Sequence, residues 1–237
     1  MSLLAGKVVV VVGGGGGLGR VIGATLASGG ARIVLAGRSP DKLESAALEV
    51  SAAGGHVLTV VVDASDEQGV RALADRARAT FGEVDILVNC AGLARPGSVG
   101  NYPWDDWQRM QAANLDTVFL TVREFIPRMM QRGRGSIVNI ASRAGLYAPA
   151  RAAVYASAKA GVIAFTRALN GEARARGVQV VAVAPGPMDT PLRWAATPDF
   201  DPAKVIPPRT IADLVFFIVT HPDITFEDPV VPMSINH

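Results

Sequence analysis

The sequence contains a single cysteine, Cys90, among its 237 residues. One thiol excludes an internal disulfide bond and a metal centre built from several thiolates. Histidine is also scarce, because only His56, His221 and His237 occur and they lie far apart along the chain, unlike a set of metal ligands. The sequence therefore predicts no metal site, and it predicts that Cys90, which follows an apolar run, is a small buried residue.

An excess of charge and long apolar runs are also missing. Lysine and arginine number 23 against 21 acidic residues, which leaves a net charge of +2. This charge is too small to favour a nucleic acid or an anionic membrane as a partner. No segment reaches the roughly 18 apolar residues that a membrane span needs, and residues 1–7 lack the basic and apolar regions of a secretory signal. We therefore expect a cytoplasmic protein with no nucleic-acid or membrane partner.

Short β-branched runs alternate with longer helical patterns along the whole chain. Several of these runs are nearly continuous Val, Ile and Leu, as in parallel strands that are covered on both faces. The alternation predicts an α/β protein with a Rossmann-type, doubly wound parallel sheet of about seven strands, in a single domain over residues 1–237. The predicted strands are Lys7–Val12, Arg32–Ala36, His56–Val62, Ile86–Asn89, Ser136–Ala141 and Val178–Ala184. The predicted helices are Gly17–Ser28, Pro40–Ala53, Asp66–Phe81, Trp104–Gln131 and Ala152–Arg176.

A glycine-rich run, residues 13–19, directly follows the first predicted strand and opens a helix. Glycines allow a tight turn and a close approach of the backbone to a pyrophosphate, which then lies at the positive N-terminus of the helix. The alternative is a flexible linker, which does not normally stand between a buried strand and an amphipathic helix. This run therefore predicts a dinucleotide site.

The end of the second strand indicates which dinucleotide binds. An Asp or Glu there would bind a ribose 2′-hydroxyl, but the sequence has Gly37 followed by Arg38 and Ser39. A guanidinium at this place can hold a 2′-phosphate, so we expect NADP(H) rather than NAD(H); the alternative is a solvated arginine at a loop edge. After the third strand, Asp63 is expected either to bind the adenine amine or to cap the loop before Asp66.

Tyr155 and Lys159 are four residues apart, so on a helix both side chains project from one face. A cation beside a phenol favours the phenolate, and we expect Lys159 to lower the pKa of Tyr155 from its usual value near ~10. Ser142 lies 13 residues upstream, after an apolar strand-like run, and can add a hydroxyl to the same site. The pair alone is weak evidence, since ordinary amphipathic helices also contain this spacing.

Taken in order, the motifs resemble those of the short-chain dehydrogenases/reductases from about Lys7 to His221. The TGxxxGxG motif of that family falls on residues 12–19, its NNAG motif on residues 89–92, and its PG motif with a downstream threonine on residues 185–190. The family's catalytic residues fall on Asn114, Ser142, Tyr155 and Lys159. The resemblance implies that the cofactor contacts Gly13, Gly15, Gly16, Gly17, Leu18, Gly19, Arg38, Ser39, Asp63, Ala64, Asn89, Ala91, Gly92, Tyr155, Lys159, Pro185, Gly186, Met188 and Thr190.

Three departures from the family pattern stand out. Val12 replaces the threonine of the glycine motif, and Cys90 replaces the second asparagine of NNAG. Our hypothesis is that these two replacements compensate each other through a more apolar contact. Residues 224–237 lack the glycine-rich ending of relatives that reduce acyl-carrier substrates, which weakens any transfer of their substrate to this chain.

The resemblance implies hydride transfer between a nicotinamide and a carbonyl or secondary alcohol. Tyr155 would exchange the proton, while Lys159 would lower its pKa and bind the nicotinamide ribose. Ser142 would polarise the carbonyl, Asn114 would hold a water that links Lys159 to solvent, and Thr190 would bind the carboxamide. Singly, Ser142 could cap a loop, Asn114 could bend its helix and Thr190 could begin a turn.

Two other functions share parts of this pattern. A nucleotide-binding regulator that has lost catalysis usually lacks one of the catalytic residues, and here all are present. An epimerase or dehydratase of the extended branch shares the YxxxK string, but the glycine spacing and the short C-terminal region argue against that branch.

The substrate is the least defined part of the prediction. The expected pocket residues are Leu93, Ala94, Ala144, Leu146, Tyr147 and Trp194, with a substrate lid at about residues 187–208. This mostly apolar set favours a medium-sized hydrophobic ketone or alcohol, although Arg95, Arg143, Arg151 or Arg193 leave an anionic group open. In the family, helices such as 104–131 and 152–176 pair across a two-fold axis, so we expect a homodimer or homotetramer.

Overall fold

Six parallel strands form the central sheet of the computed structural model, which describes residues 2–235. The strands are β1 (Val8–Val12), β2 (Arg32–Gly37), β3 (Val57–Val61), β4 (Ile86–Asn89), β5 (Gly135–Ile140) and β6 (Val178–Val183). Their order across the sheet is β3-β2-β1-β4-β5-β6, and every neighbouring pair is parallel. Each strand lies within one residue of its predicted bounds, so the prediction of a doubly wound parallel sheet is confirmed.

The predicted count of about seven strands is too high by one for the described residues. Val230 lies beside β6, where it forms a single bridge to Val183 and accepts a hydrogen bond from the Ala184 N–H at 2.8 Å. Pro229 and Pro232 flank this contact on the same segment, and a proline has no N–H to donate to a ladder. The segment therefore forms one bridge and a further hydrogen bond, from the Gly186 N–H to the Pro232 carbonyl at 2.9 Å, instead of a strand.

Residues 2–235 contain eight α-helices, six of which cover the two faces of the sheet. They are α1 (Gly19–Ser28), α2 (Pro40–Ala52), α3 (Glu67–Phe81), α4 (Trp104–Gln111), α5 (Thr117–Arg132), α6 (Ala153–Arg174), α7 (Pro191–Ala196) and α8 (Pro208–Thr220). Helices α1, α2 and α8 share a buried apolar cluster with Val9 and Val11 of β1. Helices α3, α5 and α6 share another with Val8, Val10 and Val12. Both faces of β1 are thus buried, which explains its unbroken run of valines.

The helix predictions need two corrections. The single helix predicted over Trp104–Gln131 is interrupted by a π-helical turn, Ala112–Asp116, between α4 and α5. Helices α7 and α8 were not predicted. Each begins at a proline in its first turn, a position where proline is favoured because its missing N–H is not needed. No helix of the described residues combines the length and apolarity needed to cross a membrane.

The strand order reverses between β1 and β4, which are neighbours at the centre of the sheet. In open parallel sheets the crevice outside the carboxyl ends of the strands at such a reversal is where ligands bind. The segments that leave the strands at this edge are residues 13–19, 90–92, 141–145 and 184–190. They include most of the predicted site residues.

Candidate active site

The glycine-rich run forms a tight turn between β1 and α1. Gly13 has a φ of +82°, which favours glycine, and a Cβ atom on it would lie 2.6 Å from the Ala91 backbone nitrogen. A Cβ atom on Gly17 would lie 2.8 Å from Cδ of Pro191. The turn is therefore enclosed by the segment after β4 and by the start of α7, and the linker interpretation is wrong. This backbone cradle before a helix fits a dinucleotide pyrophosphate.

Arg38 and Ser39 follow β2 directly. Arg38 is exposed, and Ser39 is the N-cap residue of α2. Asp63 accepts hydrogen bonds from the Ser65 hydroxyl at 2.7 Å and the Ser65 N–H at 3.0 Å. These bonds, with a further contribution from the Arg38 charge, lower the pKa of Asp63. Asp63 thus caps its loop, which is one of its two predicted roles; the neighbouring Ala64 is buried.

The Asn89 side chain lies in the buried interior and does not face the cleft. Its amide donates to Asn139 Oδ1 at 2.9 Å, and its carbonyl oxygen accepts from the Thr121 hydroxyl at 2.8 Å. Asn139 continues the chain by donating to the Thr166 hydroxyl at 3.0 Å. All four residues are almost fully buried. Asn89 therefore connects β4 with α5 and β5, and only the small residues after it, Ala91 and Gly92, border the cleft.

Asn114 lies in the π-helical turn between α4 and α5 and is fully buried. Its amide donates to the carbonyl oxygens of Leu93 and Met110, both at 2.9 Å, and its own oxygen accepts the Leu93 N–H at 3.3 Å. A Cβ atom on Gly92 would lie 2.8 Å from Asn114 Oδ1 and 3.5 Å from Lys159 Nζ. The π turn, a feature common at functional sites, thus brings Asn114 close to Lys159.

Ser142, Tyr155 and Lys159 come together where β5 meets α6. Ser142 and Tyr155 line the same cavity, the Ser142 hydroxyl accepts the Ala144 N–H at 3.2 Å, and Lys159 Nζ donates to the Ile140 carbonyl at 2.9 Å. The loop after Ser142 packs directly on the backbone of α6, since a Cβ atom on Gly145 would lie 2.7 Å from the Lys159 carbonyl carbon. Sequence reasoning missed Gly145. Its only signal was a glycine three residues after the serine.

The expectation that Lys159 lowers the pKa of Tyr155 does not hold in this structure. Burial raises the pKa of Tyr155, while the nearby Ser142 hydroxyl and the positive charge of Arg193 act in the opposite direction. Burial also lowers the pKa of Lys159 to about 8 and raises the pKa of the Cys90 thiol to about 12. The thiol is therefore neutral near pH 7 and cannot compensate the Lys159 charge.

The segment after β6 brings the predicted Pro185, Gly186, Met188 and Thr190 to the same cleft. The segment is fixed at its base, because the Ile206 N–H donates to the Pro187 carbonyl at 2.7 Å. The Thr190 hydroxyl caps α7 by accepting the Arg193 N–H. Thr190 also lines the cavity, so the cap and a contact to a ligand are compatible.

A cavity of about 800 Å³ opens beside Ser142 and Tyr155. Of the six predicted substrate residues, Ala94, Ala144 and Tyr147 line it and three do not. Leu93 is engaged through its backbone by Asn114, Leu146 packs against the core, and the Trp194 indole donates to Asp189 at 2.8 Å. The cavity is also lined by Leu192, Ala196 and Phe200 of the predicted lid and by three of the expected arginines, Arg95, Arg143 and Arg193. Pro96 and Ala148 belong to the wall as well and were not predicted.

The motifs, the fold and the grouping of Ser142 with Tyr155 define a nucleotide-dependent oxidoreductase. The family model for short chain dehydrogenases matches residues 7–200. Uncharacterized oxidoreductases of Staphylococcus aureus (strain MW2) and Staphylococcus haemolyticus (strain JCSC1435) are 33% and 31% identical to this chain over 222 residues. The former match covers 94% of each chain. The protein belongs to the short-chain dehydrogenase family and is an oxidoreductase with a nicotinamide-binding fold.

Two solved structures are similar over nearly the whole chain. An actinorhodin polyketide ketoreductase with NADPH has a TM-score of 0.90 and 26% sequence identity, and the match covers 96% of each chain. Levodione reductase has a TM-score of 0.91 and 27% identity, with 98% of this chain and 97% of that chain covered. These structures support the predicted fold.

Proposed function

We propose that this protein is an NADPH-dependent reductase of a ketone, acting in reverse on the corresponding secondary alcohol. The observation that carries the proposal is that Ser142 and Tyr155 line one large, mainly apolar cavity together with residues 185–188 and Thr190. A carbonyl bound there would meet a hydroxyl donor and a proton donor at the same place. Both similar solved structures are named as reductases, which favours this direction of reaction.

Four residues of the chain have roles in this reaction. Tyr155 donates the proton to the carbonyl oxygen, and its raised pKa keeps the phenol protonated at neutral pH. Ser142 donates a hydrogen bond to the same oxygen and stabilises its developing charge. The Lys159 ammonium binds the nicotinamide ribose, and Asn114 positions a water beside Lys159. A bound nicotinamide supplies the hydride.

The proposed preference for NADP(H) rests on Arg38. This guanidinium stands at the end of β2, and an exposed arginine there can bind a 2′-phosphate through two parallel hydrogen bonds. No acidic residue occupies residues 37–39 to bind a 2′-hydroxyl instead. The solved ketoreductase was determined with NADPH, which is in keeping with this preference.

We further propose that residues 187–208 form a substrate lid within one domain and that the protein works as a homodimer or homotetramer. The lid holds α7 beside the cavity, and hydrogen bonds of Ile206 with Pro187 and Asp189 fix its base. Phe119 on α5 is a large exposed apolar residue, which suits an interface between subunits. A single free cysteine suits the reducing cytoplasm. Light scattering measures the subunit number.

A thermal-shift screen with NADPH, NADH and their oxidised forms, followed by a panel of apolar ketones, tests the function. We expect the largest shift with the NADP forms and turnover of at least one ketone with NADPH. A larger shift with NADH would contradict the role of Arg38. Cofactor binding without turnover across the panel would instead favour the catalytically inactive regulator.

A further inference from the structure

Arg193 lies on α7 and lines the cavity that Ser142 and Tyr155 also line. Its guanidinium donates a hydrogen bond to the Thr197 hydroxyl at 2.9 Å and lies over the Phe200 ring, 4.7 Å from the ring centroid. Both contacts come from the lid and hold the guanidinium in place. Because a guanidinium has five N–H donors in a planar fork, these contacts leave donors for a ligand.

Within residues 2–235, Arg193 forms no ion pair. The acidic residues of the lid are used elsewhere or lie in solvent. Asp189 accepts the hydrogen bond from the Trp194 indole at 2.8 Å, Asp201 pairs with a lysine one turn further on, at 4.0 Å, and Asp199 is exposed. The positive charge at the cavity wall is therefore not neutralised by the lid.

The other two arginines of the cavity provide a comparison. Arg95 forms an ion pair with Asp106, a carboxylate that Arg109 also contacts at 3.5 Å. Arg143 lies over the Tyr147 ring, 5.3 Å from its centroid, and in the described part of the chain it has no carboxylate partner. Two of the three arginines thus present uncompensated charge to a cavity whose remaining wall is mainly apolar.

Burial of an arginine without a counter-charge is unfavourable. Desolvation lowers the pKa of Arg193, and the nearby Tyr155 phenol has only a weaker opposite influence. A half-buried cation costs free energy unless an anion or hydrogen-bond acceptors replace the lost water. Such an anion can be supplied by a ligand, and a planar guanidinium fits a carboxylate through two parallel hydrogen bonds.

We propose that the natural substrate is a carboxylated ketone whose carbonyl binds at Ser142 and Tyr155 and whose carboxylate binds at Arg193, with Arg143 as a second cation. The apolar wall between them, which includes Leu192, accommodates an apolar spacer. This inference rests on the proposed reductase function. It replaces the uncharged hydrophobic ketone with one that carries a negative charge at one end.

Matched acids and esters test this inference directly. The probes are 3-benzoylpropionate, 4-benzoylbutyrate and 5-benzoylvalerate with their methyl esters, measured as kcat/KM with NADPH for the wild type and for Arg193→Met, which keeps an apolar stem. For at least one spacer length we expect the wild type to prefer the acid by about 10- to 100-fold, the range of a charge-assisted hydrogen-bonded pair. We expect Arg193→Met to lose this preference while it still reduces the ester.

The matched control is Arg76→Met, which removes an exposed arginine of α3 that does not line the cavity. Its acid-to-ester ratio is expected to stay within about twofold of the wild type, since solvent and salt screen an exposed charge outside the cavity. A wild type that reduces esters as well as acids at every spacer length would overturn the inference and leave the reductase function intact. An equal loss of acid preference in both variants would also overturn it.

Binding measurements distinguish carboxylate binding at Arg193 from two other outcomes, namely cofactor binding by Arg193 and failure of the proposed reductase function. If Arg193→Met weakens NADPH binding and leaves the acid-to-ester ratio unchanged, the arginine binds cofactor and the inference is wrong. If no ketone of either kind is reduced, the reductase function fails. In that case the thermal shift that each of the three acids causes in the cofactor complex still tests carboxylate binding at Arg193. A shift that is present in the wild type and lost in Arg193→Met supports carboxylate binding there. The absence of any shift in the wild type contradicts it.

Discussion

On the cofactor side of the cleft, backbone packs against backbone, whereas the substrate side is a wall of side chains around open space. On the first side, Cβ atoms on Gly13 and Gly17 would collide with Ala91 and Pro191. On the second side, a cavity of about 800 Å³ is lined by alanines, prolines and arginines. The difference indicates that cofactor binding depends on glycine positions, while substrate choice depends on side chains that can vary without disturbing the fold.

The largest expected effect lies between the two sides, at Tyr155. Replacing it in Tyr155→Phe removes the proton donor, and we expect turnover of any ketone to fall by on the order of 10³-fold or more. The NADPH thermal shift should change little, since cofactor affinity depends on the glycine side. Tyr102→Phe, which removes a phenol whose hydroxyl binds the Arg95 carbonyl, is the control. Residual activity of Tyr155→Phe near that of the control would refute the assignment.

The next prediction tests whether the close backbone packing of the cofactor side also occurs in the loop after Ser142. In Gly145→Ala the new Cβ would meet the Lys159 carbonyl carbon and the Ala160 nitrogen, at 2.7 and 2.8 Å, and neither backbone atom can move cheaply. The loop must shift and carry Ser142 away from Tyr155. We expect kcat to fall by about 100-fold, as for loss of one oxyanion donor.

Gly171→Ala is the matched control for this substitution. Gly171 lies within α6, the helix that Gly145 packs against, but a Cβ atom on Gly171 would meet nothing within 4 Å. Alanine should therefore raise the free energy of unfolding by about 0.5–1 kcal/mol and leave kcat unchanged. Equal kinetic parameters in the two variants would show that the contact at residue 145 is not required.

The same contrast explains what could be predicted from the sequence. The strands and the glycine turn were predicted because continuous valines and a glycine run report directly on burial and backbone geometry. Asn114 and Gly145 depend on contacts between distant segments, so Gly145 was missed and the π turn around Asn114 was taken as continuous helix. Leu146 and Trp194 were misplaced because proximity in sequence to Ser142 or to the lid does not fix the direction of a side chain.

A smaller effect is expected at the outer end of the cofactor side. In Arg38→Gln the guanidinium is lost, and we expect NADPH affinity to fall about 10- to 100-fold while NADH affinity changes by less than about threefold. Calorimetric titration of both cofactors measures the difference. Arg76→Gln, at an exposed arginine of α3, controls for the change in net charge. Similar losses for both cofactors would show that Arg38 does not distinguish them.

Lys159 offers a test through pH rather than through kinetics. Its pKa is lowered from the ordinary 10.5 to about 8 by burial, so between these values the unfolded chain binds more protons than the folded one. The burial of this ammonium therefore lowers the free energy of unfolding by its full amount below pH 8, and by less as the pH rises towards 10.5. Relative to Lys159→Met, the wild type should gain about 2 kcal/mol of unfolding free energy between pH 7 and pH 9.5.

Urea unfolding at both pH values measures this gain. Comparison with Lys159→Met removes most of the contribution of other groups, including the Cys90 thiol, whose pKa is also shifted. An unchanged difference between the two proteins across this range would mean that Lys159 keeps its ordinary pKa in the folded state.

The smallest expected effect concerns Val12 and Cys90, the two departures from the family motifs. They lie on neighbouring strands, since the Cys90 N–H donates to the Val12 carbonyl at 2.9 Å. Their side chains, however, join different apolar clusters on opposite faces of the sheet, because successive side chains of a strand alternate between faces. The hypothesis of a compensating apolar contact is therefore not supported.

In a double-mutant cycle of Val12→Thr, Cys90→Asn and the double variant, we expect the changes in unfolding free energy to add within about 0.5 kcal/mol. A coupling energy well above that value would mean that a side-chain change on one face of the sheet affects the other face through the backbone hydrogen bond between Val12 and Cys90.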